Sequence, residues 1–69
     1  MEIRISYHLA QIMDQKSISE RQLANLSGVG KTTINDIVNN RTHPTIDTIC
    51  MLAIALDIRS EQLYSYEKL

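Results

Sequence analysis

The chain has 69 residues, 43% of them apolar, and seven Lys and Arg against eight Asp and Glu give it a net charge of −1. A chain this short buries only about 60% of the surface that it exposes when unfolded, which excludes a catalytic cleft walled by two layers but accommodates a few short helices around one core. With no Phe or Trp and only two Gly and one Pro, neither a turn-rich β-sandwich nor a disordered linker fits, and residues 1–69 read as a single all-α domain.

Ile5, Leu9, Ile12 and Met13 recur at helical spacing, with Arg4, His8, Gln11 and Asp14 on the other faces, so the spacing predicts an amphipathic helix from about residue 4 to 16. Ser19 followed by Gln22 is a capping-box pair that opens a second helix, which turns Leu23, Ala24 and Leu26 inwards and stops at Gly28. Val29 and Gly30 alone then precede a third periodic stretch, Gly30 to Asn39, with an apolar stripe at Ile34, Ile37 and Val38. The polar run that follows ends in Pro44, which disfavours helix at His43. Thr45 caps a fourth helix through Ile46, Ile49, Leu52, Ala53 and Leu56 to Asp57, and Ser60 caps a short fifth one.

The lone Cys50 lies in an apolar run, where a small buried hydrophobe is the expected role. No basic stretch followed by an apolar signal core opens the chain, and no apolar run reaches the roughly 20 residues that span a bilayer, so a cytoplasmic protein without membrane contact is expected. His8 and His43 have no cysteine or carboxylate cluster at ligand spacing, and no Ser or Thr is paired with a histidine and a carboxylate. No metal, cofactor, small-molecule ligand or enzymatic activity is expected.

The string Gly28-Val29-Gly30-Lys31-Thr32-Thr33 mimics the end of a phosphate-cradling loop, but the glycine required five positions before Gly30 is Asn25, inside a helix. The layout that survives is a helix, a short turn containing glycine and a second helix, the arrangement that sets the second helix into the major groove of DNA. The residues Ile18-Ser19-Glu20-Arg21-Gln22-Leu23-Ala24, Ser27 through Ile34, Ile37, Asn39, Pro44 through Ile49, Leu52-Ala53, Ala55-Leu56 and Leu63 together resemble the lambda-repressor-like, or xenobiotic-response-element, helix-turn-helix regulators of bacteria and phages.

The resemblance implies a five-helix domain whose recognition helix reads base edges of double-stranded DNA with Lys31, Thr32, Thr33, Asn35 and Asp36. The chemistry agrees, since Lys can donate to guanine O6 and N7, Thr can meet a thymine methyl, and Asp can accept from cytosine N4. Phosphate contacts fall, by the same resemblance, to Ser19, Glu20, Arg21 and Gln22 at the start of the second helix and to Asn39 and Arg41 after the third. Glu20 departs from the neutral Gln usual in the family, and Asn40 replaces the usual glycine, a tolerable change because Asn visits left-handed conformations readily. Many relatives pair a buried Arg on the first helix with a Glu at the end of the recognition helix. Met13 and Val38 stand at those positions here, so an apolar contact between them is expected in place of the ion pair.

The fourth helix carries a second apolar row. Met51, Ile54 and Ile58 lie opposite its core side, and with Tyr64, Tyr66 and Leu69 they are expected to form a homodimer contact. A two-fold dimer would present its recognition helices roughly 34 Å apart, matching a near-palindromic operator. The near-neutral charge, with Lys31, Arg41 and His43 against Asp36 between Gly28 and Pro44, predicts modest, salt-sensitive binding. The sequence thus reads as a sequence-specific transcriptional regulator, a repressor by preference. The rival reading is a protein-interaction module on the same fold, an antitoxin or antirepressor that binds its partner through the fourth helix.

Overall fold

A computed structural model describes residues 1–69. Four α-helices, α1 (Leu9–Gln15), α2 (Glu20–Ser27), α3 (Lys31–Val38) and α4 (Ile46–Leu56), are bracketed by two strands, β1 (Ile3–Tyr7) and β2 (Tyr64–Lys68). A single 3-10 turn, Ser60–Leu63, leads into β2. The domain is therefore mostly helical but not strictly all-α, and it has four helices instead of five.

Both departures arise where two periodicities coincide. Ile5, Leu9 and Ile12 satisfy a helical spacing, yet Ile3-Arg4-Ile5-Ser6-Tyr7 also alternates apolar and polar residues with the period of a strand. The expected helix from residue 4 consequently begins only at Leu9, with His8 at its N-cap. Tyr64-Ser65-Tyr66-Glu67 alternates in the same way, and the two strands pair antiparallel with Ile5 opposite Tyr66 and Tyr7 opposite Tyr64. The His8 amide donates to the Leu63 carbonyl (2.8 Å), closing one end of the ladder. Across the solvated face Arg4 meets Glu67 at 3.0 Å with both side chains well exposed, a pair worth less than about 1 kcal/mol. Ser60 does not cap a fifth helix: Arg59 precedes the 3-10 turn, and its amide donates to Gln62 Oε1 (2.9 Å).

The helices are punctuated by their capping chemistry. Ser19 Oγ accepts from the Gln22 amide (3.1 Å) and Gln22 Oε1 accepts from the Ser19 amide (2.9 Å), the reciprocal box expected at the start of α2. Thr45 Oγ1 accepts from the Thr48 amide at the start of α4. Three helices stop on a non-glycine residue in the left-handed region, Ser17, Asn40 and Asp57 (φ 54°, 57° and 55°). At each stop the next amide reaches back five residues, Ile18 to Met13, Arg41 to Asp36 and Ile58 to Ala53. The left-handed residue's own amide bonds three residues back, which completes the Schellman pattern. Asn40 thus takes a left-handed stop of the kind that glycine most often fills.

Leu9 and Met13 of α1, Leu23 of α2, Val29 of the turn, Ile34 and Ile37 of α3, Ile49, Leu52, Ala53 and Leu56 of α4, and Leu63 form one core that contains no buried polar or charged side chain. Val38 packs half-buried against that core, and it shares a shallow depression with Met13, Ala10 and Ile18. Asp14, Ser19 and Glu20 complete the lining of that depression.

Several inward assignments are corrected. Leu26 and Ile46 are exposed: Leu26 lies outside the covered arc of α2, and Ile46 is the first residue of α4, where the packed side of the helix has only begun. Cys50 is exposed as well. Of the row expected to face a partner, Met51 and Ile54 (79% exposed) do stand in solvent, as do Tyr66 and Leu69. Ile58 and Tyr64 instead pack, half-buried, against the domain's own core.

Candidate nucleic-acid interface

The turn between α2 and α3 is three residues long, Gly28, Val29 and Gly30, and each has a separate role. Gly28 sits at φ 78° and its amide closes α2 on the Ala24 carbonyl (3.0 Å). Val29 is buried and plugs the turn into the core, while Ser27 Oγ accepts from its amide (3.1 Å). Gly30 is extended (φ −62°, ψ 144°) at the N-cap of α3. Ile34 and Ile37, 0% and 1% exposed, then clamp α3 along one side and fix the opposite side in solvent.

That outer side starts with Lys31, Thr32 and Thr33, all exposed. Lys31 takes part in none of the three ion pairs of the molecule, nor does Arg21 at the start of α2. The first turn of α3 contains no acidic residue, so its free amides present an uncompensated positive dipole end.

Further along α3 the arrangement changes. Asn35 and Asp36 are half-buried and belong to a side-chain network. Asn35 Nδ2 donates to both Glu20 carboxylate oxygens (3.3 Å each). Asn35 Oδ1 accepts from Arg41 Nη2, and Arg41 Nε donates to Asp36 Oδ1 at 3.1 Å. Glu20, Lys31, Thr32, Asn35, Asp36 and Arg41 line one open depression of about 290 Å³ with no apolar residue in it. Six of the residues expected to read bases or hold phosphate are therefore brought together.

Other expected positions are partly committed elsewhere. Ser19 and Gln22 are engaged in the capping box, and Asn39 Nδ2 donates to the Asn35 carbonyl (2.9 Å) at the end of its own helix. Two contacts had no signal in the sequence, the Glu20–Asn35 bond and a hydrogen bond of 2.8 Å between the Tyr7 hydroxyl and His43 Nδ1. The second ties β1 to the loop that follows the candidate recognition helix, and burial raises the Tyr7 phenol above its ordinary value. No group of three or more His, Cys, Asp or Glu is placed to hold a metal ion, and no helix is long and apolar enough to cross a membrane.

The pattern that defines the helix-turn-helix family matches residues 9–63. The chain belongs to this family of lambda-repressor-like, xenobiotic-response-element regulators. The match runs from the first residue of α1 to the last residue of the 3-10 turn, and both strands lie outside it. A search of curated proteins by sequence returned no match.

Among solved structures the chain is similar to the restriction-modification controller protein C.AhdI from Aeromonas hydrophila, with 27% identity over 80% of this chain and 83% of that one and a TM-score of 0.76. A Bacteroides fragilis protein provisionally described as DNA-binding shares the fold at a TM-score of 0.81, with 22% identity over 90% of this chain and 100% of that one. The transcriptional regulator VanUg shares it at 0.77, with 13% identity over 100% and 92%.

Proposed function

We propose that the chain is a sequence-specific DNA-binding transcriptional regulator that inserts α3 into the major groove and represses transcription as a homodimer on a near-palindromic operator. The observation that carries this reading is the three-residue turn, which leaves Lys31, Thr32 and Thr33 exposed on the first turn of a helix clamped by Ile34 and Ile37. A rigid rod with a polar outer edge is what major-groove readout requires. The likeness to a restriction-modification controller protein supports the regulatory role. In this reading Lys31, Thr32 and Thr33 contact base edges directly, Arg21 holds phosphate, and the free amides of α2 and α3 add to the phosphate contact. Residues 1–69 act as one domain by binding alone, without catalysis.

Met51 and Ile54 support the homodimer, since a second copy would cover apolar surface that the domain itself leaves in solvent. The same exposure and the net charge of −1 favour the second reading, an interaction module that binds a protein through α4. Retention of a random-sequence duplex pool at two salt concentrations separates the two, with Lys31→Ala and Ile54→Lys as variants. Salt-sensitive retention that Lys31→Ala abolishes supports DNA reading. No retention of any duplex by the folded, unmodified chain refutes it and favours the protein-binding module. Sedimentation as a monomer at high concentration in low salt refutes the dimer.

A further inference from the structure

Two acidic side chains stand on the surface that, in the reading above, faces a polyanion. Their partners make the placement consequential. A carboxylate can only accept hydrogen bonds and a guanidinium can only donate them. The Asn35 amide that lies between Glu20 and Arg41 therefore has one orientation only, with its NH2 on Glu20 and its oxygen on Arg41. Arg41 is held a second time by Asp36 at 3.1 Å. The depression lined by these residues contains two carboxylates, Glu20 and Asp36, against two cations, Lys31 and Arg41, and is formally neutral. Sequence-independent binding to a duplex is driven by cations that displace counterions from phosphate. A cation already paired within the protein contributes little to it.

We propose that Glu20, acting with Asp36 through Asn35, is a specificity-determining residue: it holds Arg41 away from phosphate, suppresses sequence-independent binding, and reserves tight binding for sites whose base edges donate to the carboxylates. In the major groove those donors are the exocyclic amines, cytosine N4 and adenine N6. A site that offers them satisfies the carboxylates and releases Arg41 towards the backbone. A site that offers guanine O6 or thymine O4 instead leaves acceptor facing acceptor. Asn35 is on this account a positioning residue and not a direct reader of bases. The proposal rests on the DNA-binding reading of α3.

Glu20→Gln isolates charge from geometry, because a glutamine oxygen still accepts from Asn35 Nδ2. Asp36→Asn and the double variant complete the set. The probes are a 30-base-pair random-sequence duplex pool and the duplexes enriched from it by the unmodified chain, titrated between 50 and 200 mM salt, with thermal melts to establish folding. Each phosphate gained steepens the slope of log K against log salt by about 0.9, or roughly a 3.5-fold larger loss of affinity over that range. The expected result is a double variant that binds the random pool more tightly at 50 mM, with a slope steeper by about 0.9, and that loses the preference for cytosine or adenine amines shown by the unmodified chain. Glu20→Gln alone should move part of the way. If the unmodified chain enriches duplexes, yet every folded variant keeps its slope and its base preference, the proposal is overturned and DNA reading stands. If the folded, unmodified chain retains no duplex at 50 mM, the DNA-binding reading has failed and the proposal fails with it.

Discussion

The two glycines of the turn are separated by one residue and should respond oppositely to the same substitution. Gly28 occupies φ 78°, ψ 0°, a region that costs a residue with a Cβ about 1 to 2 kcal/mol. There is no steric surcharge, since a Cβ there would meet only the flexible end of Met51 at 3.7 Å. A side chain also removes conformational freedom from the unfolded chain, which returns about 0.4 to 1 kcal/mol. Gly28→Ser should therefore destabilise by about 1 kcal/mol.

Gly30 is extended and a Cβ there meets nothing within 4 Å. It is also the N-cap of α3, with no side-chain cap bond. Gly30→Ser supplies a hydroxyl for the free amides of the first turn, worth a few tenths of a kcal/mol over glycine, and adds the same gain from the unfolded chain. It should stabilise by about 0.5 to 1 kcal/mol, so the two variants should differ by roughly 1.5 to 2 kcal/mol. The assay is urea unfolding at matched m-values, and the whole domain is expected to be worth only about 3 to 10 kcal/mol. Shifts of the same sign in both variants, or a Gly30→Ser variant less stable than the parent, would refute the assignment of separate backbone roles within the turn.

Ile34 is fully buried where α3 meets the core. Ile34→Ala should cost about 2 to 5 kcal/mol, a large share of the stability of a domain of this size, as urea unfolding followed by circular dichroism would register; a loss below about 1 kcal/mol would mean that α3 is not clamped as described. Tyr7→Phe removes the bond to His43 and should cost about 0.5 to 1.5 kcal/mol. Because the folded phenol titrates above its unfolded value of 10.0, its contribution is present below pH 10 and is lost as the pH rises through the folded pKa. The alkaline fall in stability should accordingly be shallower in Tyr7→Phe, and equal slopes in the two proteins would count against it. Cys50 is exposed and should react stoichiometrically with a thiol reagent in the native protein at a rate insensitive to added stabilising salt; reaction only on unfolding would contradict its placement.

Local chemistry made the middle of the chain legible. Ser19 with Gln22, Gly28, Thr45, and the apolar stripe of Ile34 and Ile37 each act within a few residues, and each cap or buried position formed as the pattern implied. Asn40 could be read as a stand-in for glycine because left-handed tolerance is a property of the residue itself. These are short-range effects, and they suffice to specify α2, the turn, α3 and the start of α4.

Features that depend on partners distant along the chain were settled by packing. Ile3 to Tyr7 satisfies the period of a strand as well as that of a helix, and the choice fell to Tyr64 to Lys68, some 60 residues away, whose ladder satisfies the backbone of both ends. The family pattern, ending at residues 9 and 63, carries no information about either strand. Exposure of Leu26, Ile46 and Cys50 likewise depended on how far neighbouring helices reach around α2 and α4. The Glu20–Asn35–Arg41–Asp36 network joins α2 to α3 across 15 residues, and hydrogen bonds between side chains so separated exist only once packing has brought their helices together.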